Sequence, residues 1–283
     1  MSFAHASTIL FLTFLLISLF VSLFIVKIMI KRRKHLTLVG LLFSHILTCI
    51  QYCLIKIMVT MYDLLIYNRE HSSLFAVKTV LLLNTTTQCY VVISGAFLAL
   101  DRAAIITYPI KYVQWNLNIK LVVALVVAFA FTLGFGAAYT IFDDDHDADE
   151  PLGFFLIAMI LFELSFHLMF FVQWRRYFKT HTVVTNHYQT KIHHITLFQM
   201  VSLIIFGFLP HVIIFVDWKL NNGDLYDLFN EKVGWDFWVL FGEVFFSFHV
   251  MLTCSFTIYK LVQKPRSINV SQCRTVPSRI RTL

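Results

Sequence analysis

Charge, proline and glycine are all scarce in this chain. Only 14% of its 283 residues are charged, with 5 prolines and 9 glycines among them. A soluble domain carries about 25% charged residues, so water is excluded as the only solvent. No Pro- or Gly-rich linker divides the chain, and no period of about 20–50 residues recurs. A repeat array is therefore excluded, and the chain reads as one domain. The five cysteines, Cys49, Cys53, Cys89, Cys254 and Cys273, have neither metal-ligand spacing nor the density of a disulfide framework. Four of them fall in apolar runs, where a thiol is a small packing residue. Cys273 lies in a basic tail, either as a palmitoylation site or as an ordinary thiol. No metal site, cofactor motif or Ser/Cys nucleophile constellation is found, so neither a cofactor nor enzyme activity is expected. A histidine-dependent membrane hydrolase is the weakest alternative: His181, His193 and His194 are expected in a loop with no matching acidic set.

What the chain has in abundance is apolar surface: 58% hydrophobic residues, 30 of them Phe. A helix needs roughly 20 apolar residues to cross the hydrocarbon. On that measure the chain divides into seven runs: Ser7–Ile30, Leu36–Tyr62, Leu74–Leu100, Lys120–Phe142, Leu152–Trp174, Ile195–Val216 and Phe237–Leu261. The expected fold is an all-α bundle of seven spans over 1–261, followed by a short basic tail over 262–283. The first run has no basic segment before it and no small-residue cleavage site after it, so a retained helix is expected and not a secretory signal. The longest basic-side loop, Arg175–His194, leaves room for spans five and six to continue as helices beyond the membrane.

Orientation follows the Lys and Arg residues. Of 23, all but Lys56, Arg69, Lys78, Lys219 and Lys232 fall on the side of the loops after spans one, three and five and of the tail. Of 16 acidic residues only Asp101 lies there. The N-terminus is expected outside and the C-terminus in the cytoplasm. The net charge of +7 sits in short loops and not on one polar face, so its counterpart is an anionic lipid surface and not nucleic acid.

The third run closes on Asp101-Arg102, followed by Pro109 and Tyr112. Asp101 beside Arg102 lowers the cost of holding a guanidinium at the hydrocarbon edge, and a shift that frees Arg102 would present a rigid donor fork to a partner. An interfacial arginine that snorkels to the headgroups is the plain alternative. Span six holds Phe206-Gly207-Phe208-Leu209-Pro210, and Pro210 is the only proline within any of the seven runs. Proline removes a helical hydrogen bond and kinks the axis, here for switching or simply for packing. Span seven ends Cys254-Ser255-Phe256-Thr257-Ile258-Tyr259-Lys260.

Together these residues resemble the rhodopsin-like G-protein-coupled receptors: Asp-Arg-Tyr with Pro-x-x-Tyr after helix three, Phe-x-x-Cys-Trp-x-Pro in helix six and Asn-Pro-x-x-Tyr in helix seven. The resemblance implies a plasma-membrane receptor in which Asp101, Arg102, Pro109, Tyr112, Phe208, Pro210 and Tyr259 serve switching and coupling to a heterotrimeric G protein. Phe208 stands at the tryptophan position, and Ser255 and Phe256 replace Asn and Pro. His45 stands roughly where the family carries a buried aspartate. Span one lacks Gly-Asn, span four Trp and span five Pro, and no cysteines stand where the outer disulfide would form. The short N-terminus and eroded motifs are similar to those of large chemosensory groups such as the nematode serpentine receptors.

Polar residues within spans are costly and suggestive: Lys56, Asn84, Gln88, Glu163, His167, Glu243 and His249. Lys56, Asn84, Gln88 and Glu243 fall in outer halves, where related receptors bind ligands. Each is a candidate ligand contact or an ordinary interhelical hydrogen bond. Lys56 and Glu243 form either an ion pair between spans two and seven or a charged anchor for an amphoteric ligand. Asn84 occupies the place of the aspartate of amine receptors, and His249 roughly that of the retinal lysine, which argues against both ligand types. The alternative function is a seven-helix transporter or channel, which expects paired broken helices or a chain of polar residues through the bundle.

Overall fold

The computed structural model describes residues 3–31, 36–66, 74–108, 149–180, 187–220 and 239–263, with scattered positions between 119 and 134. The described residues are helical, with no strand among them. The helices are α1 (Phe3–Lys31), α2 (Leu36–Ile66), α3 (Leu74–Thr107), α4 (Asp149–Thr180), α5 (His187–Leu203), α6 (Leu209–Leu220) and α7 (Phe245–Val262). Two π-helical turns interrupt them: Ile204–Phe208 joins α5 to α6 as one span, and Val239–Val244 leads into α7.

Six stretches are long and apolar enough to cross a membrane: Thr8–Lys31, Leu41–Tyr62, Thr86–Thr107, Phe155–Tyr177, Thr190–Asp217 and Gly242–Val262. They correspond to the expected spans one, two, three, five, six and seven. The expected fourth span, Lys120–Phe142, lies almost wholly outside the described residues. Large apolar side chains cover the outside of the bundle, with Met58 71% and Phe20 69% exposed. A soluble protein buries such groups; a lipid-facing surface keeps them.

Three boundaries differ from expectation. α3 does not stop at Leu100 but runs on to Thr107, so Asp101 and Arg102 sit within its last turns. It ends where Tyr108 precedes Pro109, because proline disfavours helical geometry in the residue before it; the Tyr108 N–H still bonds the Ala104 carbonyl at 2.9 Å. α4 and α5 both extend into the expected Arg175–His194 loop, as that loop's length allowed. Lys191, His193 and His194 are therefore helical and not loop residues. Finally, Asp149, Glu150 and Pro151 belong to the first turn of α4, where a proline loses no backbone hydrogen bond.

Packing closes a ring in which α1 meets α2 and α7, α2 meets α3, α3 meets α4, α4 meets α5, and α5 meets α7. Side-chain contacts give the directions. His45 meets Ser94 and Tyr52 meets Gln88, so α2 and α3 are antiparallel. Tyr52 with Ser247 and Lys56 with Glu243 make α2 antiparallel to the seventh span. Phe198 with Phe256 and Phe206 with Phe245 make α5 antiparallel to it as well. Phe14 with Phe248 and Ser22 with Cys254 make α1 parallel to α7. Phe170 with His193 and Gln199 with Glu163 make α4 antiparallel to α5. So α1, α3, α4 and α7 run one way, and α2 and the α5–α6 span run the other.

Candidate functional site

The polar interior has three tiers along the bundle axis. At the Glu243 end, the Lys56 ammonium on α2 lies 2.9 Å from a Glu243 carboxylate oxygen and 5.7 Å from the Tyr52 ring centroid. Tyr52 and Ser247 share a 2.8 Å hydroxyl hydrogen bond, and the Gln88 side chain reaches the same phenol. Lys56, which is 0% exposed, and Gln88, at 5%, are enclosed, whereas the Glu243 side chain keeps 23% of its surface open. Of the expected ligand contacts, Lys56, Gln88 and Glu243 thus converge on Tyr52. Asn84 lies on α3, and its side chain is outside the described residues.

The middle tier joins every layer of the ring except α1. On its α2–α3 side, His45 Nδ1 pairs with the Ser94 hydroxyl at 2.8 Å, and Thr48 meets the same hydroxyl at 2.7 Å. Gln199 Nε2 on α5 donates to Glu163 Oε1 at 3.1 Å, and His167 Nε2 faces the same oxygen at 3.2 Å. His249 on α7 pairs with Ser202 on α5 at 2.9 Å. Gly95 makes room for the Glu163 group: a Cβ there would collide with Glu163 Oε1 and come within 2.6 Å of Gln199 Nε2. An inter-helix polar contact in a membrane contributes roughly 0.6 and at most about 1.7 kcal/mol, so this tier orients helices more than it holds them together.

At the Arg102 end, Arg102 pairs with Asp101 on its own helix. Both are buried, Arg102 at 1% exposure, and His193 on α5 lies within electrostatic reach of the guanidinium. Lys191 on α5 donates to the backbone carbonyl of Gln263, the C-cap of α7, where a cation complements the helix dipole. Above this contact, Phe198 of α5 stacks on Phe256 of α7 at 4.1 Å between centroids, 13° from parallel. Phe256 is thus one half of an aromatic clasp.

Phe208 and Pro210, the residues of span six expected to serve switching, sit where the helix widens. The Leu209 N–H bonds back to Ile204 O, one residue farther than in an α-helix. Pro210 offers no N–H, and its ring would crowd the carbonyl of Phe206 in a regular helix; the π turn just before it accommodates both. His211 Nδ1 adds a contact to the Gly207 carbonyl at 2.6 Å. Phe208 packs against the apolar core, and Pro210 is buried. Tyr259 is not brought to Arg102; it is 58% exposed with the Lys260 ammonium 5.5 Å from its ring centroid. Pro109 and Tyr112 lie outside the described residues.

Tyr52, Gln199 and the serines Ser94, Ser202 and Ser247 were missed as site residues. Gln199 carries the ordinary signal of a polar side chain inside an apolar span. Tyr52 carries no such signal, because a tyrosine in a span reads equally well as an interface anchor. Cys49, Cys53, Cys89 and Cys254 are buried free thiols, as packing residues should be. Among the described residues no group of three or more His, Cys, Asp or Glu is arranged to hold a metal ion. No protein-family model, no curated protein and no solved structure matches the chain. Among the described residues the chain is helical, with six apolar helices long enough to cross a membrane.

Proposed function

We propose that the chain is a seven-span plasma-membrane receptor that passes an extracellular small-molecule or chemosensory signal to a heterotrimeric G protein by movement of span six. The N-terminus is outside and the C-terminus in the cytoplasm. One observation carries the reading: Arg102 is a guanidinium held at 1% exposure at one end of the bundle, paired to Asp101, with His193 of α5 within electrostatic reach on the span that contains the proline-associated π turn. Displacing α5 uncovers a charged, rigid donor fork at that face.

The seven-span count is supported by helix direction. α3 and α4 run the same way, so a chain that leaves one face after Thr107 has to return to the opposite face before Asp149. A crossing over Lys120–Phe142 supplies that return. The ligand site is the Glu243 end, where Gln88, Lys56 and Glu243 surround Tyr52 and the Glu243 carboxylate is the accessible charge.

The test is G-protein dissociation across a panel of Gα subunits, in cells that display wild type and Arg102→Ala at matched surface levels. A basal or extract-stimulated signal that Arg102→Ala abolishes supports the reading. Silence with every Gα, in wild type and variant alike, counts against it.

A transporter or channel is the second reading, and the middle tier favours it: polar side chains from α2, α3, α4, α5 and α7 occupy the bundle interior between the two ends. Ion or proton flux through proteoliposomes carrying the purified chain separates it from the receptor reading.

A further inference from the structure

The receptor reading gives no role to the carboxyl group at the centre of the bundle. Glu163 is 1% exposed, and His167 and Gln199 are 0% exposed. The carboxylate accepts a hydrogen bond from Gln199 and faces His167; among the described residues no Lys or Arg bonds it. Two further atoms of the set, His167 Nδ1 and Gln199 Oε1, are buried without a hydrogen-bond partner. Gly95 closes the third side so tightly that a single methyl group would not fit.

The surrounding titratable groups are few. α2 presents His45 and Cys49, and α7 presents His249 and Cys254. α3 contributes Ser94 and Gly95, and α5 contributes Gln199 and Ser202, none of which titrates. His193 and Lys191 lie farther along α5 toward the Arg102 end.

We propose that Glu163 and His167 form a proton-binding site at the centre of the bundle, whose occupancy sets how firmly Gln199 holds span six to span five. A carboxylate in an apolar interior with no fixed cation needs a counter-charge. A proton adds no volume, which suits a site whose Glu163, His167 and Gln199 side chains are 0–1% exposed. The proton that governs the Gln199 bond resides on the Glu163 carboxyl, with the His167 ring 3.2 Å away as its neighbour in the site.

The mechanical consequence follows from hydrogen-bond strength. An ionised carboxylate accepting the Gln199 N–H makes a bond roughly twice as strong as a neutral one. Protonating Glu163 removes that advantage. Gln199 lies on α5 just ahead of the π turn Ile204–Phe208, so the segment it releases is the half of span six that carries Lys191, His193 and the Phe198 clasp. Span six is held firmly at high pH and loosens as pH falls.

The experiment uses the full chain in lipid nanodiscs, spin-labelled at Thr107→Cys on α3 and His194→Cys on α5, with the distance distribution recorded between about pH 8 and about pH 5. The expected result is a longer and broader distribution at low pH that is absent in Glu163→Gln. An unchanged pH response in Glu163→Gln overturns the proposal, as does a distribution that never moves with pH. A response driven by replacing choline with Na⁺ at fixed pH also overturns it, because the occupant is then a metal cation. If Glu163→Gln does not fold, infrared difference spectra of the unaltered chain decide. A pH-dependent carboxyl C=O band that shifts in Gln199→Leu supports the proposal, and the lack of any such band overturns it. None of these readouts involves a G protein, so they stand or fall separately from receptor coupling.

Discussion

The two ends of this bundle both bury a basic side chain, but they neutralise it differently. Arg102 takes its counter-ion from the adjacent residue on the same helix. Lys56 takes its counter-ion from Glu243, across the gap between α2 and the seventh span. A pair made within one helix survives when neighbouring helices move, so Arg102 can be uncovered without stranding a charge. A pair made between helices ties them together, whereas at the Arg102 end the ties between helices are the Lys191–Gln263 hydrogen bond and the Phe198–Phe256 stack. The π turn of span six lies between the two ends.

The comparison breaks most sharply at Lys56. Glu243→Ala removes the carboxylate that faces a buried ammonium. A fully buried pair loses about 3–5 kcal/mol on such a change, and the partly open Glu243 side chain sets the expected loss toward or below the lower figure. We expect a large loss of folded protein and of thermal stability, measured by size-exclusion in detergent. The double replacement Lys56→Met with Glu243→Leu removes both charges and recovers much of the loss; if it is as damaging as Glu243→Ala alone, the pair is not what ties these helices.

Next in size is Gly95→Ala. The added methyl meets Glu163 and Gln199, and overpacking of this kind costs about 1–3 kcal/mol. The middle tier, not the ends, then sets the limit on how closely α3, α4 and α5 approach. A thermal midpoint equal to the unaltered chain's would show that α3 is free to retreat.

A smaller effect is expected between α5 and α7. A double-mutant cycle on Ser202→Ala and His249→Phe should return a coupling of roughly 0.6 kcal/mol, with about 1.7 as the ceiling. A coupling well above that range would make the middle tier a fastening in its own right. The smallest effect belongs to the lipid face: Met58→Leu, at a side chain 71% exposed, should leave stability within about 0.5 kcal/mol.

Legibility in the sequence followed the range of each interaction. The Asp101–Arg102 pair was readable because both members are neighbours in the chain. That span six departs from a regular helix near Pro210 was readable, although the form it takes, a π turn ahead of the proline, was not. Lys56 and Glu243 were readable as two costly residues in outer halves, yet whether they pair depended on how α2 faces the seventh span. Of the Tyr52–Gln88–Ser247 network only Gln88 was readable, as a polar residue within a span; Tyr52 and Ser247 are not individually unusual, and their meeting was not readable. Helix ends erred in one direction: α3, α4 and α5 all outrun their apolar cores, because hydropathy marks where lipid ends and not where backbone hydrogen bonding ends.

The sequence alone determined that this chain is a set of long apolar helices, where the costly polar residues lie along it, and which residue restrains Arg102. These depend on local composition and on neighbours in the chain. Only the tertiary structure decided that Glu163 meets Gln199 over Gly95, that Phe256 stacks on Phe198, and that α3 and α4 run in the same direction. Each of those joins residues far apart in the chain, and in an apolar solvent such partners are chosen by shape and by the need to satisfy buried polar groups, which no stretch of sequence contains by itself.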